Sequence, residues 1–363
     1  MLNTGPGEPS APILSTAIHW DGAQRVSSVA NSTFDNFILK SNKKPLAPPR
    51  EPESGLPQIT ILMCTYNGEH FLAEQLESFN YQTHTSWNLI VSDDGSRDNT
   101  LNILKCHQQK LDKDRLKIVP GPQQNFVRNF LSLCCRVDIE ADFYAWADQD
   151  DIWNEDKLQV ASNWLSTIPK QLPALYCSRT QLIDESNNLI GFSPKFSRPP
   201  SFANALVQNI GGGNTMVFNH TAKLLLQEAG DKLDIPTHDW WAYQLITGAG
   251  GVIHYDESPH LLYRQHSSNL IGSNSGWLAR FQRLRGTLRG DFKAWSRKNI
   301  EALDSVRHLL TLENQLILDN FKHACNQKSW NVVWSLRKAG VYRQTWLGNL
   351  SLILACLAKE GRR

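Results

Sequence analysis

Up to about residue 56 the chain is polar and rich in Ser, Asn, Pro and Gly; beyond it, short apolar runs alternate with stretches of helical periodicity. ITILMC, from Ile59 to Cys64, is apolar or β-branched at every position, the pattern of a strand buried on both faces. Asn67 and Gly68 break it, and Phe71, Leu72, Leu76 and Phe79 then recur at helical spacing. Trp87 to Ser92 predicts a second strand, stopped by Asp93-Asp94-Gly95-Ser96, and Thr100 to Leu104 opens a second helix. Leu116 to Val119 and Phe126 to Leu133 repeat the pair. Phe143 to Ala147 is a fourth strand, ending at Asp148-Gln149-Asp150-Asp151, with a helix around Lys157 to Leu165.

Alternating strands and helices predict βαβ units and the α/β class, a mostly parallel sheet flanked by helices. Ligands of such sheets bind beyond the carboxyl ends of the strands. Three polar clusters fall there, Thr65-Tyr66-Asn67, Asp93-Asp94 and Asp148 to Asp151, so that one ligand reaches all three. From Tyr176 to Gln265 the pattern is mixed, with shorter strand-like runs and glycine-rich turns.

From Trp277 onward the pattern is helical: Leu278, Phe281, Leu284, Leu288, Phe292 and Trp295 recur every three or four residues among arginines and lysines. Charge sharpens that boundary. Trp277 to Arg363 carries 16 Lys and Arg against 6 Asp and Glu, leaving 21 basic and 29 acidic groups for the rest. An amphipathic basic helix with tryptophans suits an anionic membrane surface; the other reading is a helix packed on the preceding domain with its arginines solvated. Trp346 to Ala358 is apolar but, with 13 residues, too short to span a bilayer, and reads as interfacial or buried.

Composition bounds the rest. An aromatic share of 9% and a net charge of +2 are not those of a mainly disordered chain. No apolar run reaches the roughly 20 residues of a membrane span, which excludes a multi-span protein. MLNTGPGEPS lacks a basic start and an apolar core, so no secretory leader is expected. Seven cysteines without a CxxC pair predict reduced thiols of a cytosolic protein and no zinc site. The acidic body, without any nucleic-acid motif, argues against a nucleic-acid partner.

Crowded carboxylates repel unless a cation neutralises them. Asp148, Asp150 and Asp151 are such a cluster, and hard oxygen ligands favour Mg2+ or Mn2+. The plainer reading is that Asp151 or a neighbour caps the following helix.

CTYNGEHFLAEQLES, VSDDGSRDNT and WADQDDIW, in this order, resemble the nucleotide-binding half of a family 2 glycosyltransferase of GT-A fold. The resemblance runs from about Gln58 to Gly272. HDWWAY and YRQHSSNLIG are most similar to a bacterial rhamnosyltransferase-like branch. It implies a tail over 1–56, a GT-A domain over 57–272 and a basic helical region over 273–363. Within the domain, 57–152 would be the nucleotide-binding half and 153–272 the acceptor half.

By the same resemblance Thr65, Tyr66, Asn67 and Glu69 line the nucleotide pocket, and Asp93 or Asp94 accepts from the pyrimidine imide. Asp148 faces ribose and sugar, Asp150 ligates the metal, and Asp151 does either or neither. For Asp93 and Asp94 the alternative is an Asx-turn. Asp239, in THDWWAY, matches the base that deprotonates the acceptor hydroxyl, since an alcohol needs a carboxylate within hydrogen-bond reach; the alternative is a helix N-cap. Trp240 and Trp241 either desolvate it, stack on sugar or belong to the core, and His238 is supporting.

Gly211 to Thr215 lacks the GK[ST] of a phosphate loop and is similar to a segment near the donor sugar, with Asn214 a donor contact; a tight turn is the alternative. His266 resembles a late histidine on the metal or diphosphate, and Arg264 would balance leaving-group charge.

The implied activity is inverting transfer from a nucleotide-sugar, dTDP-L-rhamnose, to a hydroxyl of a lipid-linked cell-surface glycan such as an O-antigen intermediate. A divalent metal would be required. The enzyme would be cytoplasmic and peripheral on the inner face of the membrane. The rivals are a UDP-hexose or UDP-HexNAc donor, and an inactive glycan-binding scaffold.

Overall fold

The computed structural model describes residues 55–112, 114–266, 291–327 and 331–357. Residues 1–54 of the expected tail, and Leu278, Phe281, Leu284 and Leu288 of the basic stretch, lie outside them.

The first half follows the hydrophobic pattern closely. β1 (Ile59–Thr65), α1 (Leu72–Asn80), β2 (Trp87–Asp93), α2 (Thr100–Gln108), β3 (Leu116–Pro120), α3 (Phe126–Cys134) and β4 (Phe143–Ala147) succeed one another. β3, β2, β1 and β4 lie side by side and parallel, with Ile59 level with both Trp87 and Phe143. Alternation sorts their side chains between two cores. Ile59, Ile61 and Met63 join Leu89, Val91 and Ala145 on one face; Leu62 and Cys64 join Ile90, Tyr144 and Trp146 on the other. With both faces covered, every position of β1 is buried.

The second half extends the same sheet. β5 (Ile152–Trp153), α4 (Lys157–Leu165), β6 (Ala174–Ile183), β7 (Leu189–Phe192) and α5 (Phe202–Ala205) lead to a 3-10 turn at Gly213–Thr215. β8 (Val217–Asn219), α6 (His220–Ala229), α7 (His238–Gly248) and β9 (Val252–Arg264) follow. β8 runs antiparallel to β4 and β6, whereas β9 runs parallel to β6 and antiparallel to β5, giving the order β3-β2-β1-β4-β8-β6-β9-β5. The short runs of the sequence become a single long β9 because its pairing with β6 tolerates irregular register around Arg179, level with Pro259. Proline has no N–H to offer a ladder and is accommodated at such breaks.

α8 (Asp291–Ser305), α9 (Leu312–Asn326), α10 (Asn331–Lys338) and α11 (Trp346–Leu357) complete the α/β fold with its helical C-terminal region. Phe292, Leu303, Leu318 and Phe321 share the core of Trp241 and Tyr243. Each such side chain contributes about 1.5–3 kcal/mol by leaving water. Among the described residues no helix is long and apolar enough to cross a membrane.

Candidate active site

The loops after β1, β2 and β4 meet because β1 lies between the other two strands. Thr65 ends β1 level with Asp93, and its hydroxyl donates to the Asp93 carboxylate at 2.8 Å. Asp93 also accepts from the Ser96 hydroxyl at 2.6 Å and from the backbone N–H groups of Gly95 and Ser96, an Asx-type turn that leaves it buried. Asp94 is more open and accepts from the Gln123 N–H at 2.5 Å. Burial raises its pKa, and the Asp93 charge adds to the rise.

The β1 loop is stitched to the β2 loop residue by residue. Asn67, at a left-handed φ of 48°, donates its N–H to Ser96 and accepts from the Arg97 N–H. Glu69 donates its N–H to Asp98 and accepts from the Asn99 N–H. Tyr66 is largely exposed, while its backbone exchanges two hydrogen bonds with the Gln149 amide. Thus all of these predicted pocket residues share one rim.

Behind that rim the four-residue Asp148 to Asp151 segment is clamped from below. The Asp150 carboxylate lies 2.7 Å from His266 Nε2, and its carbonyl accepts from Arg264 Nε at 2.9 Å. Asp151 is fully buried, accepting from Asn214 Nδ2 at 2.6 Å and from the Arg264 N–H. Burial pushes its carboxyl well up, with the Asp150 and Asp148 charges adding. Lys157, also fully buried, donates to the Asn214 carbonyl at 2.8 Å and sits 3.2 Å from the centre of the Trp153 ring. Burial lowers its pKa while Asp151 and Asp148 oppose that shift.

Arg264 and Asn214 therefore occupy different ground from Asp150. The Arg264 guanidinium is fully enclosed, bonded to Glu74 at 2.8 Å and Asn187 at 2.5 Å, with its carbon 4.5 Å from the Phe71 ring centre. Phe71 also contacts His266, at 5.0 Å between ring centres. The Asn214 side-chain N–H is given to Asp151 within a buried turn. Both hold the carboxylate segment in place.

The acidic segment also meets α7. Burial raises the Asp148 carboxyl to about 8, with Asp150 and then Asp239 adding to the rise and Lys157 opposing it. Asp239 lies in the first turn of α7; the N-cap position belongs to Thr237. The Asp239 carboxylate accepts from the Gly213 N–H at 3.2 Å and the Trp240 N–H at 2.7 Å, which joins the Gly211 to Thr215 turn to the carboxylate cluster. An added Cβ on Gly213 would come within 2.5 Å of His238 Nε2, so the turn needs glycine for its close approach. His238 stacks on Phe130 at 4.0 Å, neutral and buried, and Trp240 and Trp241 are core side chains.

Residues 60–232 match the family described as Glycosyl transferase family 2. A dTDP-rhamnosyl transferase of Shigella flexneri, RfbG, is 31% identical over 253 residues, covering 66% of this chain and 82% of that protein. The chain belongs to glycosyl transferase family 2. It is a glycosyltransferase enzyme. An Escherichia coli protein, UDP-Glc:alpha-D-GlcNAc-diphosphoundecaprenol beta-1,3-glucosyltransferase WfgD, is 27% identical over 45% of this chain and 60% of its own length. Solved structures with some likeness include S. aureus TarS 1-349 in complex with UDP-GlcNAc, at 14% identity and a TM-score of 0.46 over 78% of this chain and 93% of that one. The mannosyltransferase PcManGT of Pyrobaculum calidifontis, solved with GDP-Man and Mn2+, has 16% identity and a TM-score of 0.45 over 93% and 97%.

Two side chains of the kind that donate to a divalent cation stand together here, Asp150 and His266. Asp148 is driven toward its neutral form by burial first and by the Asp150 and Asp239 charges second, and a nearby positive charge would offset the latter. Asp150 and His266 offer an oxygen and a nitrogen 2.7 Å apart, and His266 also lines an open cavity of about 490 Å3 with Asp184, Glu185, Ser186 and Gln265. The described residues hold no group of three or more His, Cys, Asp or Glu able to enclose a metal. An ion held by Asp150 and His266 would need its remaining ligands from a diphosphate and water.

Sequence reading overlooked Gln149, Glu74 and Lys157. Gln149 stood inside the acidic segment and Glu74 on the polar face of α1, so neither carried a signal of its own. Lys157 reads as the first residue of a helix; its burial against Trp153 follows only from how α4 lies on the sheet.

Proposed function

We propose that this enzyme transfers L-rhamnose from dTDP-L-rhamnose, with inversion, to a hydroxyl of a lipid-linked cell-surface glycan intermediate. The observation that supports the chemistry is the Gly213–Asn214 turn, which donates to Asp239 at 3.2 Å and to Asp151 at 2.6 Å and so links the expected base to the acidic segment. The similarity to the Shigella dTDP-rhamnosyl transferase supports the donor.

In this reading Thr65, Tyr66, Asn67, Glu69, Asp93 and Asp94 form the nucleotide rim, with the partly open Asp94 the better placed of the pair to accept from a base N–H. Asp148 faces the ribose and sugar. Asp150 and His266 would hold a divalent cation, which would neutralise charge on the leaving diphosphate. Arg264 and Asn214 act through Asp150 and Asp151 by fixing their positions. Asp239 takes the acceptor proton as the hydroxyl oxygen attacks the anomeric carbon, and the bond from that carbon to the diphosphate oxygen breaks on the opposite face. The products are an α-rhamnoside and dTDP. A lipid-linked acceptor places the enzyme in the cytoplasm, peripheral on the inner face of the membrane.

The test is mass-spectrometric product analysis with a panel of nucleotide-sugars and a polyprenyl-linked acceptor. Rhamnosylated acceptor formed from dTDP-rhamnose, lost with EDTA and in Asp150→Ala, is expected. Turnover of a UDP-sugar in its place overturns the donor, and a folded protein inert toward every donor overturns the enzymatic reading.

A further inference from the structure

We propose that the exposed face of α11 seats on an anionic lipid bilayer. This deepens the reading of a lipid-linked acceptor and rests on it. α11 carries no charged residue, and on it Trp346 is 74% and Leu347 60% exposed, with Leu350 and Leu354 one and two turns further on nearly half exposed. Trp346, Leu350 and Leu354 recur at i, i+4 and i+8 along one side with Leu347 beside them, while Leu352, Ala355 and Cys356 pack inward. Trp334 on the adjoining α10 is 68% exposed, with Arg337 and Lys338 exposed beside it. An apolar helix face left in water this way marks a docking surface.

Charge identifies the occupant. Between Asp319 and Glu360 the chain has no acidic residue; of its basic residues Lys322 pairs with Asp304 and Arg343 bonds within the fold, while Arg337 and Lys338 stand exposed beside Trp334. A protein partner of matching acidity would serve this charge alone, but tryptophan and leucine on an uncharged helix with basic flanks are the pattern of an interfacial helix on anionic lipid.

The helix is also rigidly tied to the acceptor half. Gln344, just before α11, exchanges hydrogen bonds with the Arg198 backbone at 2.9 and 3.0 Å and donates its N–H to Gln208 at 2.8 Å. Arg343 donates to the Val207 carbonyl at 3.1 Å and stacks over Phe292. The segment held this way runs directly into the Gly211 to Thr215 turn, whose Gly213 bonds Asp239. A bilayer under α11 would thus lie at a fixed distance from the base, as an acceptor anchored in that bilayer requires.

Co-sedimentation of the full chain with equimolar phosphatidylglycerol–phosphatidylcholine vesicles, against pure phosphatidylcholine vesicles, tests the proposal. Wild type is expected to pellet with the anionic vesicles and to be released as salt rises. Leu350→Glu/Leu354→Glu, with unchanged thermal melting, is expected to bind at least about tenfold more weakly. Wild type left in the supernatant, or a double variant that pellets equally, overturns it. So does sedimentation velocity showing a wild-type dimer that the double variant dissolves, which assigns the face to a second copy. Vesicle binding needs neither donor nor acceptor; transfer to soluble glycans alone would defeat the proposed acceptor without touching this result.

Discussion

Gln149 and Tyr66 exchange a pair of hydrogen bonds, side-chain amide to backbone, at 3.0 and 2.9 Å, and so tie the end of β4 to the loop after β1. The pair bridges the rim formed by the β1 and β2 loops and the acidic segment. Gln149→Leu removes both bonds while keeping the bulk. A loss of about 1–2 kcal/mol is expected, seen as a roughly five- to thirtyfold higher KM for the donor with little change in thermal stability. An unchanged donor KM counts against the bridge as a positioning element.

Gly68 tests the same contact from the other side, because an added Cβ would collide with the Gln149 amide. Gly68→Ala is expected to raise donor KM much as Gln149→Leu does. The two effects should not add: a coupling of at least about 0.5 kcal/mol is expected in the double-mutant cycle on kcat/KM. Full additivity would mean that Gly68 acts elsewhere.

Arg264 pairs with the part-buried Glu74 and supports the Asp150 carbonyl from within the core. Arg264→Met strands a carboxylate and a carbonyl, so a loss of about 3–5 kcal/mol in urea denaturation is expected. Arg264→Lys should recover little, since an ammonium does not reproduce the fork of bonds to Glu74, Asn187 and Asp150. A stability near wild type in either variant would show that the clamp is dispensable.

Asp239→Asn preserves an acceptor oxygen for the Gly213 N–H and removes the proposed base. A fall in kcat of about 100- to 10,000-fold is expected, with donor KM and thermal melting within about twofold and a few degrees of wild type. A comparable fall in donor affinity would instead place Asp239 in donor binding.

His107 and His238 are buried with neither ring nitrogen hydrogen-bonded, and burial lowers both to about 4. Unfolded, each titrates near about 6.5, so between these values the unfolded chain binds more protons. Their contribution is complete above about pH 6.5 and is lost as pH falls toward about 4, by up to about 3 kcal/mol each. His107→Leu should narrow the gap in denaturation midpoint between pH 7 and pH 4.5; an unaltered gap would assign the acid sensitivity to other groups.

The amino-acid order alone determined the strands and helices from Ile59 to Leu165, the two-residue β5 excepted, because parallel strands buried on both faces and amphipathic helices leave clear periods. It also determined that Thr65, Asp93 and the 148–151 carboxylates share the strand ends, since adjacent parallel strands finish on one edge. It did not disclose the 13-residue β9, whose partner compensates for Pro259, nor the direction in which polar side chains point. Arg264 and Asn214 read as ligand contacts; that both are buried and bond the Asp150 carbonyl and the Asp151 carboxylate was decided by tertiary packing. The link from Asp239 through the Gly213–Asn214 turn to Asp151 was likewise decided by the path through β8 and α7. Local periodicity follows from side-chain sequence within a few residues; which charges face each other follows from long-range packing that no short window contains.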